Sequence, residues 1–254
     1  TGAQMAALQT DDFGALSSSA FKAITPGQLG ALDTPLVQAI STAQTAALSS
    51  KQIPGLTPEQ LAVLATDAFA ALSTAAVRGL QANQLQSLGE QQLNLLSTLQ
   101  VASLSSAQLG TLSNEQLNTL NTAQWAALSS RQIVGLSADR WDQFSADRIA
   151  ALSTSTLRAL SAEQVRDFSL EQWSAMGSRQ LAALTSKQIA EIATDEMPWL
   201  TAEALQAIGT AAIRGLTASQ IVHLDPGQAA LLTTAQIASL NTSQLAYLTT
   251  DSLF

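Results

Sequence analysis

Every position divisible by eight, from Leu8 to Leu248, carries a large apolar residue, thirty-one times in succession without one insertion or deletion. Twenty-four of these are Leu, and the others are Ile24, Ile40, Ile192, Ile208, Phe144, Phe168 and Met176. A period this strict predicts a repeat architecture in which each unit buries its apolar face only against its neighbours. Eight residues at about 100° each would carry the apolar position some 80° round a continuous helix per repeat, smearing it over the whole circumference. The chain must therefore turn once in every octad.

The unit reads L-S/T-x-x-Q-L/I-x-x, as in LSSAQLGT from Leu104, LSSRQIVG from Leu128 and LTTAQIAS from Leu232. The residue after the Leu is Ser, Thr, Asn or Asp in 24 of the 31 units, the set whose side-chain oxygen accepts from the free amides of a first helical turn. Gln follows three residues later in 19 units, completing a capping box in which its side chain reaches back to the amide of the cap. The Leu before the cap and the Leu or Ile after the Gln stand where a hydrophobic staple fixes the entry angle of the chain. Pro26, Pro58 and Pro226 occupy the first helical position, where a missing amide hydrogen is harmless. Pro54 and Pro198 fall near the ends of their units and forbid a longer helix. The expected fold is all-α, a solenoid of short capped helices. A β-solenoid is the structural rival, disfavoured because the apolar pair is spaced five and three rather than two, and because Ala, Gln and Leu favour helix.

The seventh slot indicates how many octads make one turn. Read every 24 residues, it groups Gln143, Asp167 and Glu191, then Trp199, His223 and Tyr247, then the small residues Gly55, Gly79, Ser103, Ala127, Ala151 and Ala175. Read every 16, these sets scatter. Three units per turn is the expectation, a coil of roughly triangular section. Stacked at the ~8 to 10 Å of packed helices, residues 1–254 would form a single continuous domain, an elongated rod of about 85 to 105 Å. Its interior should hold the Leu slot together with Phe13, Phe21, Phe69, Trp125, Trp141 and Trp173, which read as core and not as a binding box. Charges gather on the fourth residue of the unit, such as Lys51, Glu59, Glu115, Arg131, Glu163 and Lys187, and read as a solvated stripe.

Only 12% of residues are charged, so the polar surface is expected to consist mainly of Ser, Thr, Gln and Asn. A net charge of -8 with three lysines offers little to a nucleic-acid backbone or an anionic membrane. No apolar run approaches the ~20 residues that span a bilayer, so membrane insertion is not expected. Cysteine is absent, which excludes disulfides and thiolate metal sites. The chain opens TGAQMAAL, without Met or a basic start, and reads as a processed or excised piece.

Catalysis needs convergent ionisable groups. His223 is the single histidine, and the adjacent carboxylates Asp11-Asp12 and Asp195-Glu196 lack the alternating ligands and Gly turn of a calcium loop. Phosphate-cradling Gly loops, metal-ligand spacings and nucleophile elbows are missing from the sequence. No enzyme activity, cofactor or metal is expected. The one candidate for binding is a groove near Trp199, His223 and Tyr247 with Glu191 alongside, able to hold a peptide or glycan; exposure of that aromatic column would favour such a role.

LTPEQLAVLAT from Leu56 resembles the opening of repeats in transcription-activator-like effectors over eleven residues, but a period of eight and an acidic surface oppose DNA reading. Tracts such as LTTAQIASLNTSQLAYLTTDSL resemble, over the whole chain, the LTTAQIAAL-type octapeptide arrays of very large bacterial surface and secreted proteins. That resemblance implies an extracellular or cell-surface stalk, spacer, fibre or adhesin segment. A Gln-poor pair of units recurs at 11, 67, 147 and 203 and places a base alike at Lys22, Arg78, Arg158 and Arg214, which suggests growth by block duplication. The ends, Met5 and Leu8 at one and Leu248, Leu253 and Phe254 at the other, lack charged capping units, so self-association end to end is expected, either in a filament or within a longer array.

Overall fold

Each cap, box and staple initiates one helix of four to six residues, and the Leu of the next octad ends it. In the computed structural model, which describes residues 7–248, Ser106–Thr111, Asn114–Thr119 and Thr242–Tyr247 are typical helices, each beginning one residue after its N-cap. The cap side chain accepts from the amide three residues on at Ser105, Ser113, Asn121 and Asp225, among others. Ser129 departs from this, since its hydroxyl donates to Gln132 Oε1 at 2.8 Å. The closing Leu has extended backbone, and its amide bonds the carbonyl three residues back, as in Leu112 N to Leu109 O at 3.2 Å. That tight last turn and the extended Leu turn the chain. No strand is present among the described residues.

Proline placement is as the octad requires. Pro26, Pro58 and Pro226 open the helices Pro26–Gly30, Pro58–Val63 and Pro226–Leu231. Pro54 and Pro198 sit inside the 3-10 turns Ile53–Gly55 and Met197–Trp199. With no proline amide to extend an α-helix there, the chain closes instead through Gly55 N to Gln52 O at 2.8 Å and Trp199 N to Glu196 O at 3.0 Å. Ala138–Gln143 is also 3-10, around Trp141.

By its contacts the chain divides into two compact units, Thr1–Ala127 and Leu128–Phe254, and the division falls on an octad boundary. Within the first, Ser18–Lys22 packs on Thr42–Ala47, Thr74–Gly79 on Thr98–Ser103, and Ala82–Gln86 on Ser106–Thr111. Within the second, Ala146–Ala151 packs on Leu170–Ala175, Thr154–Ala159 on Ser178–Ala183, and Ala218–Val222 on Thr242–Tyr247. All of these extensive pairings join helices whose starts are 24 residues apart. In each unit the chain is therefore an α-solenoid with three octads per turn, and a 16-residue turn is excluded.

Helices this short do not persist alone in water. They are held by burial on both apolar slots: the Leu slot is buried from Ile24 to Leu248, and the slot five residues later holds Phe13, Phe21, Ile53, Trp125, Trp141, Ile149 and Ile213 with essentially no exposure. A fully buried Leu, Ile or Phe contributes roughly 1.5–3 kcal/mol, so each one-turn helix is stabilised by the turns above and below it. The aromatic core is continuous around residues 141–173, where Trp141 meets Phe144 edge to face at 5.5 Å, and Phe168 lies 5.7 Å from Trp141 and 5.4 Å from Trp173.

The small residues of the seventh slot have a steric cause. A Cβ on Gly55 would run into the backbone of Pro26, one on Gly79 into Ser50, and one on Gly215 into Ser186, in each case the residue 29 positions earlier. None of these glycines has positive φ, so close approach of the chain, not backbone freedom, requires them. No helix of the described residues is long and apolar enough to cross a membrane.

Candidate functional site

The chemistry of this chain is concentrated at its corners, where one octad passes into the next. The first half of the glutamine's role was legible in the octad: Gln188 Oε1 accepts from the amide of Thr185 at 2.8 Å, and Gln124 Oε1 from that of Asn121 at 2.8 Å. The second half was not. Gln188 Nε2 donates to the carbonyls of Leu157 at 2.8 Å and Leu160 at 2.9 Å, 31 and 28 residues earlier. Gln124 does so to Leu93 and Leu96, Gln172 to Trp141 and Phe144, and Gln220 to Ile189 and Ile192. Those carbonyls belong to the end of a helix one turn of the coil away, where the helical pattern leaves acceptors unused. One amide thus caps its own helix and fastens its corner to the corner beneath.

This role puts the glutamines inside. Gln44, Gln84, Gln124, Gln172, Gln188 and Gln220 are buried, which corrects the expectation that Gln mainly covers the surface; the fourth-slot charges Lys51, Glu59, Glu115, Arg131, Glu163 and Lys187 are exposed as anticipated. The sequence did hold a signal. A capping box accepts Glu as readily as Gln, yet the slot carries Gln 19 times and Glu once, at Glu196. Only a group with both an acceptor and a donor can bridge two corners.

Where Gln is missing, the corners differ. Thr156 offers its hydroxyl to Leu128 O at 3.3 Å, the carbonyl a glutamine would have reached. Glu196 accepts from the amide of Ala193, but burial and the neighbouring Asp195 push its carboxyl above the usual carboxylate range. Arg140, also in this slot, has its guanidinium pKa drawn down by burial, against the opposing pull of Asp139. At Ala204 and Ala212 nothing replaces the amide, and each of these corners lines a cleft. One is walled by Trp173, Met176, Gly177, Leu200, Thr201 and Ala204, the other by Arg158, Leu184, Thr185, Gly209 and Ala212.

The Gln-poor pairs carry a further fastener. Arg78 Nε donates to Ser103 O at 3.3 Å and Arg214 Nε to Ser239 O at 2.9 Å, each reaching 25 residues forward to the end of the helix in the next turn. The matching bases of the recurring pairs therefore brace successive turns at two of their four positions, a cation at a helix C-terminus.

The candidate groove is brought together in part. Trp199, His223 and Tyr247 occupy one slot on three successive turns of the second unit, and all are exposed, Trp199 at 66% and Tyr247 at 44%. Val222, beside His223, is 59% exposed and extends the strip. His223 Nδ1 lies 2.7 Å from Ser219 O, which leaves Nε2 directed away from its own helix. Glu191 stands one octad before Trp199, on the preceding side of the coil. Its carboxylate is held by Arg166 Nε at 2.6 Å, a pairing that raises the arginine's pKa. Neither named cleft is lined by Trp199, His223 or Tyr247. No cluster of three or more His, Asp or Glu that could hold a metal ion occurs among the described residues. Leu8 and Leu248 lie at the margins of the described residues, and Met5, Leu253 and Phe254, named for end contacts, lie outside them.

No curated protein matches the chain. The ALTTAQ repeat matches it three times, over residues 5–42, 23–58 and 101–138. Those segments carry the ALTTAQ repeat, the LTTAQ-type octapeptide array to which the tracts of this sequence are similar.

Proposed function

We propose that this repeat module serves as a rod, stalk, spacer or fibre segment of an extracellular bacterial protein. The observation that carries the reading is the use of the polar interior. Buried glutamines such as Gln44, Gln124 and Gln220 join one turn to the next through the same bonds in both compact units, a scheme that lengthens by adding octads without redesign. End-to-end association through the terminal turns fits this role, in which the partner is another copy or further repeats. Solution scattering and sedimentation test it together: the particle should be elongated, and it should associate as concentration rises, with Leu248→Glu suppressing association. A compact monomer at all concentrations would refute the proposal. Surface labelling of producing cells tests the extracellular location.

A second reading, a peptide- or glycan-binding scaffold, is favoured by one observation, the exposed strip of Trp199, His223 and Tyr247. Aromatic faces at the repeat spacing of stacked helices suit a linear ligand. Glycan and peptide arrays probed with wild type and Trp199→Ala test it, and equal binding by both proteins would dismiss the strip.

A further inference from the structure

The chain shows repeatedly how one of its corners holds a carboxamide, and at the Ala204 corner the carboxamide is absent from the sequence while the groups that would receive it remain. Ala204 occupies the glutamine slot. In the same column, one turn to either side, Gln180 donates to Ile149 O and Leu152 O, and Gln228 donates to Met197 O and Leu200 O. By the same register a glutamine at 204 would donate to the carbonyls of Trp173 and Met176 and accept from the amide of Thr201. All three residues line the first cleft, together with Gly177 and Ala204 itself. Neither the Met176 carbonyl nor the Thr201 amide has a hydrogen-bond partner among the described residues. Trp173, 1% exposed, also has a buried indole N–H without a partner.

We propose that this cleft is a binding site for a primary carboxamide, whether the side chain of a Gln or Asn in a partner peptide or a small free amide. The donor set selects that group. Two carbonyl oxygens require an N–H donor with two hydrogens, and the Thr201 amide requires an acceptor beside it, which is the pattern of –CONH2. A carboxylate would set a negative charge against two carbonyls with Glu203 also in the lining, and an ammonium would leave the Thr201 amide facing a cation. Gly177 adds to the access, since a Cβ there would meet nothing within 4 Å.

The indole N–H signals of Trp125, Trp141, Trp173 and Trp199 make a direct test in the 15N-labelled full chain. Titration with N-acetylglutamine N′-methylamide should shift the Trp173 signal saturably and leave Trp125 and Trp141 in place, with the weak affinity expected of so few atoms. The matching glutamate derivative should produce no such shift. Propionamide separates the sources: an equal response assigns the site to small amides, and a clearly weaker one assigns it to a peptide side chain. Ala204→Gln, which supplies the amide from within, should raise the melting temperature and abolish the shift. The proposal is overturned if the Trp173 signal does not move, if the glutamate derivative moves it equally, or if the shift survives in Ala204→Gln.

Discussion

Replacing a single buried glutamine should cost far more than a capping residue normally does. Gln188 is 1% exposed and satisfies three groups at once: the Thr185 amide and the carbonyls of Leu157 and Leu160. In Gln188→Ala all three lose this partner. The Leu157 carbonyl keeps the Leu160 amide at 3.2 Å, so the buried Leu160 carbonyl and the half-buried Thr185 amide are left unpaired. At about 1–3 kcal/mol for each buried unsatisfied group, with the half-buried Thr185 amide at the lower end, the expected loss is about 2–4 kcal/mol, above the ~1 kcal/mol of an ordinary N-cap deletion. Gln188→Glu is the sharper variant. It is isosteric and keeps the acceptor for Thr185, but it sets a carboxylate against two carbonyl oxygens. Burial must raise the pKa of that carboxyl in the folded chain above its unfolded value. The folded form then holds the proton more tightly, so stability is greatest at acid pH and falls as pH rises from the ordinary carboxylate range through the folded value. At neutral pH the loss should equal or exceed that of the alanine variant, about 3–5 kcal/mol for an uncompensated buried charge. Urea titrations followed by circular dichroism at neutral and acid pH measure both. If Gln188→Glu matched wild type at neutral pH, or Gln188→Ala lost less than about 0.5 kcal/mol, the bridge between turns would not be what holds the corners.

One substitution should have opposite signs at two glycines. Gly215→Ala forces a methyl into the Ser186 backbone and should destabilise by about 1–3 kcal/mol, whereas Gly110→Ala, exposed in its helix with nothing within 4 Å, should stabilise by about 0.5–1 kcal/mol; two losses of similar size in thermal melts would contradict the packing of the seventh slot. Glu196→Gln should remove an acid-dependent component of stability. Burial, then Asp195, raise the Glu196 pKa, so its folded form is relatively favoured below the usual carboxylate range and loses ground as pH climbs through the raised value. The glutamine variant should therefore gain most over wild type at neutral pH, and a gain independent of pH would rule this out.

The octad by itself determined the secondary structure, because everything that starts and stops these helices is local. Ser105 and Gln108 stand three residues apart, and Pro58 needs only its own ring to mark a helix start, so cap, box and proline rules apply without knowledge of the fold. The burial of Phe13, Trp125 and Trp173 was legible for a similar reason, since they share a register with the Leu and Ile of other units. The 24-residue turn was visible only indirectly, through the columns of the seventh slot, and the paired helices confirm it. What only the tertiary structure decided is where long side chains end. Gln188 reaches Leu160, Arg214 reaches Ser239 and Arg166 reaches Glu191 across separations of 25 to 28 residues, and such bonds depend on how one turn seats on the next. The same seating decides that a Cβ on Gly215 would clash while one on Gly110 would not, and that Ala204 leaves a cleft between two filled corners. Local sequence dictates the pieces because their hydrogen bonds close within an octad; contacts between turns depend on the packed distance between backbones, which no single octad encodes.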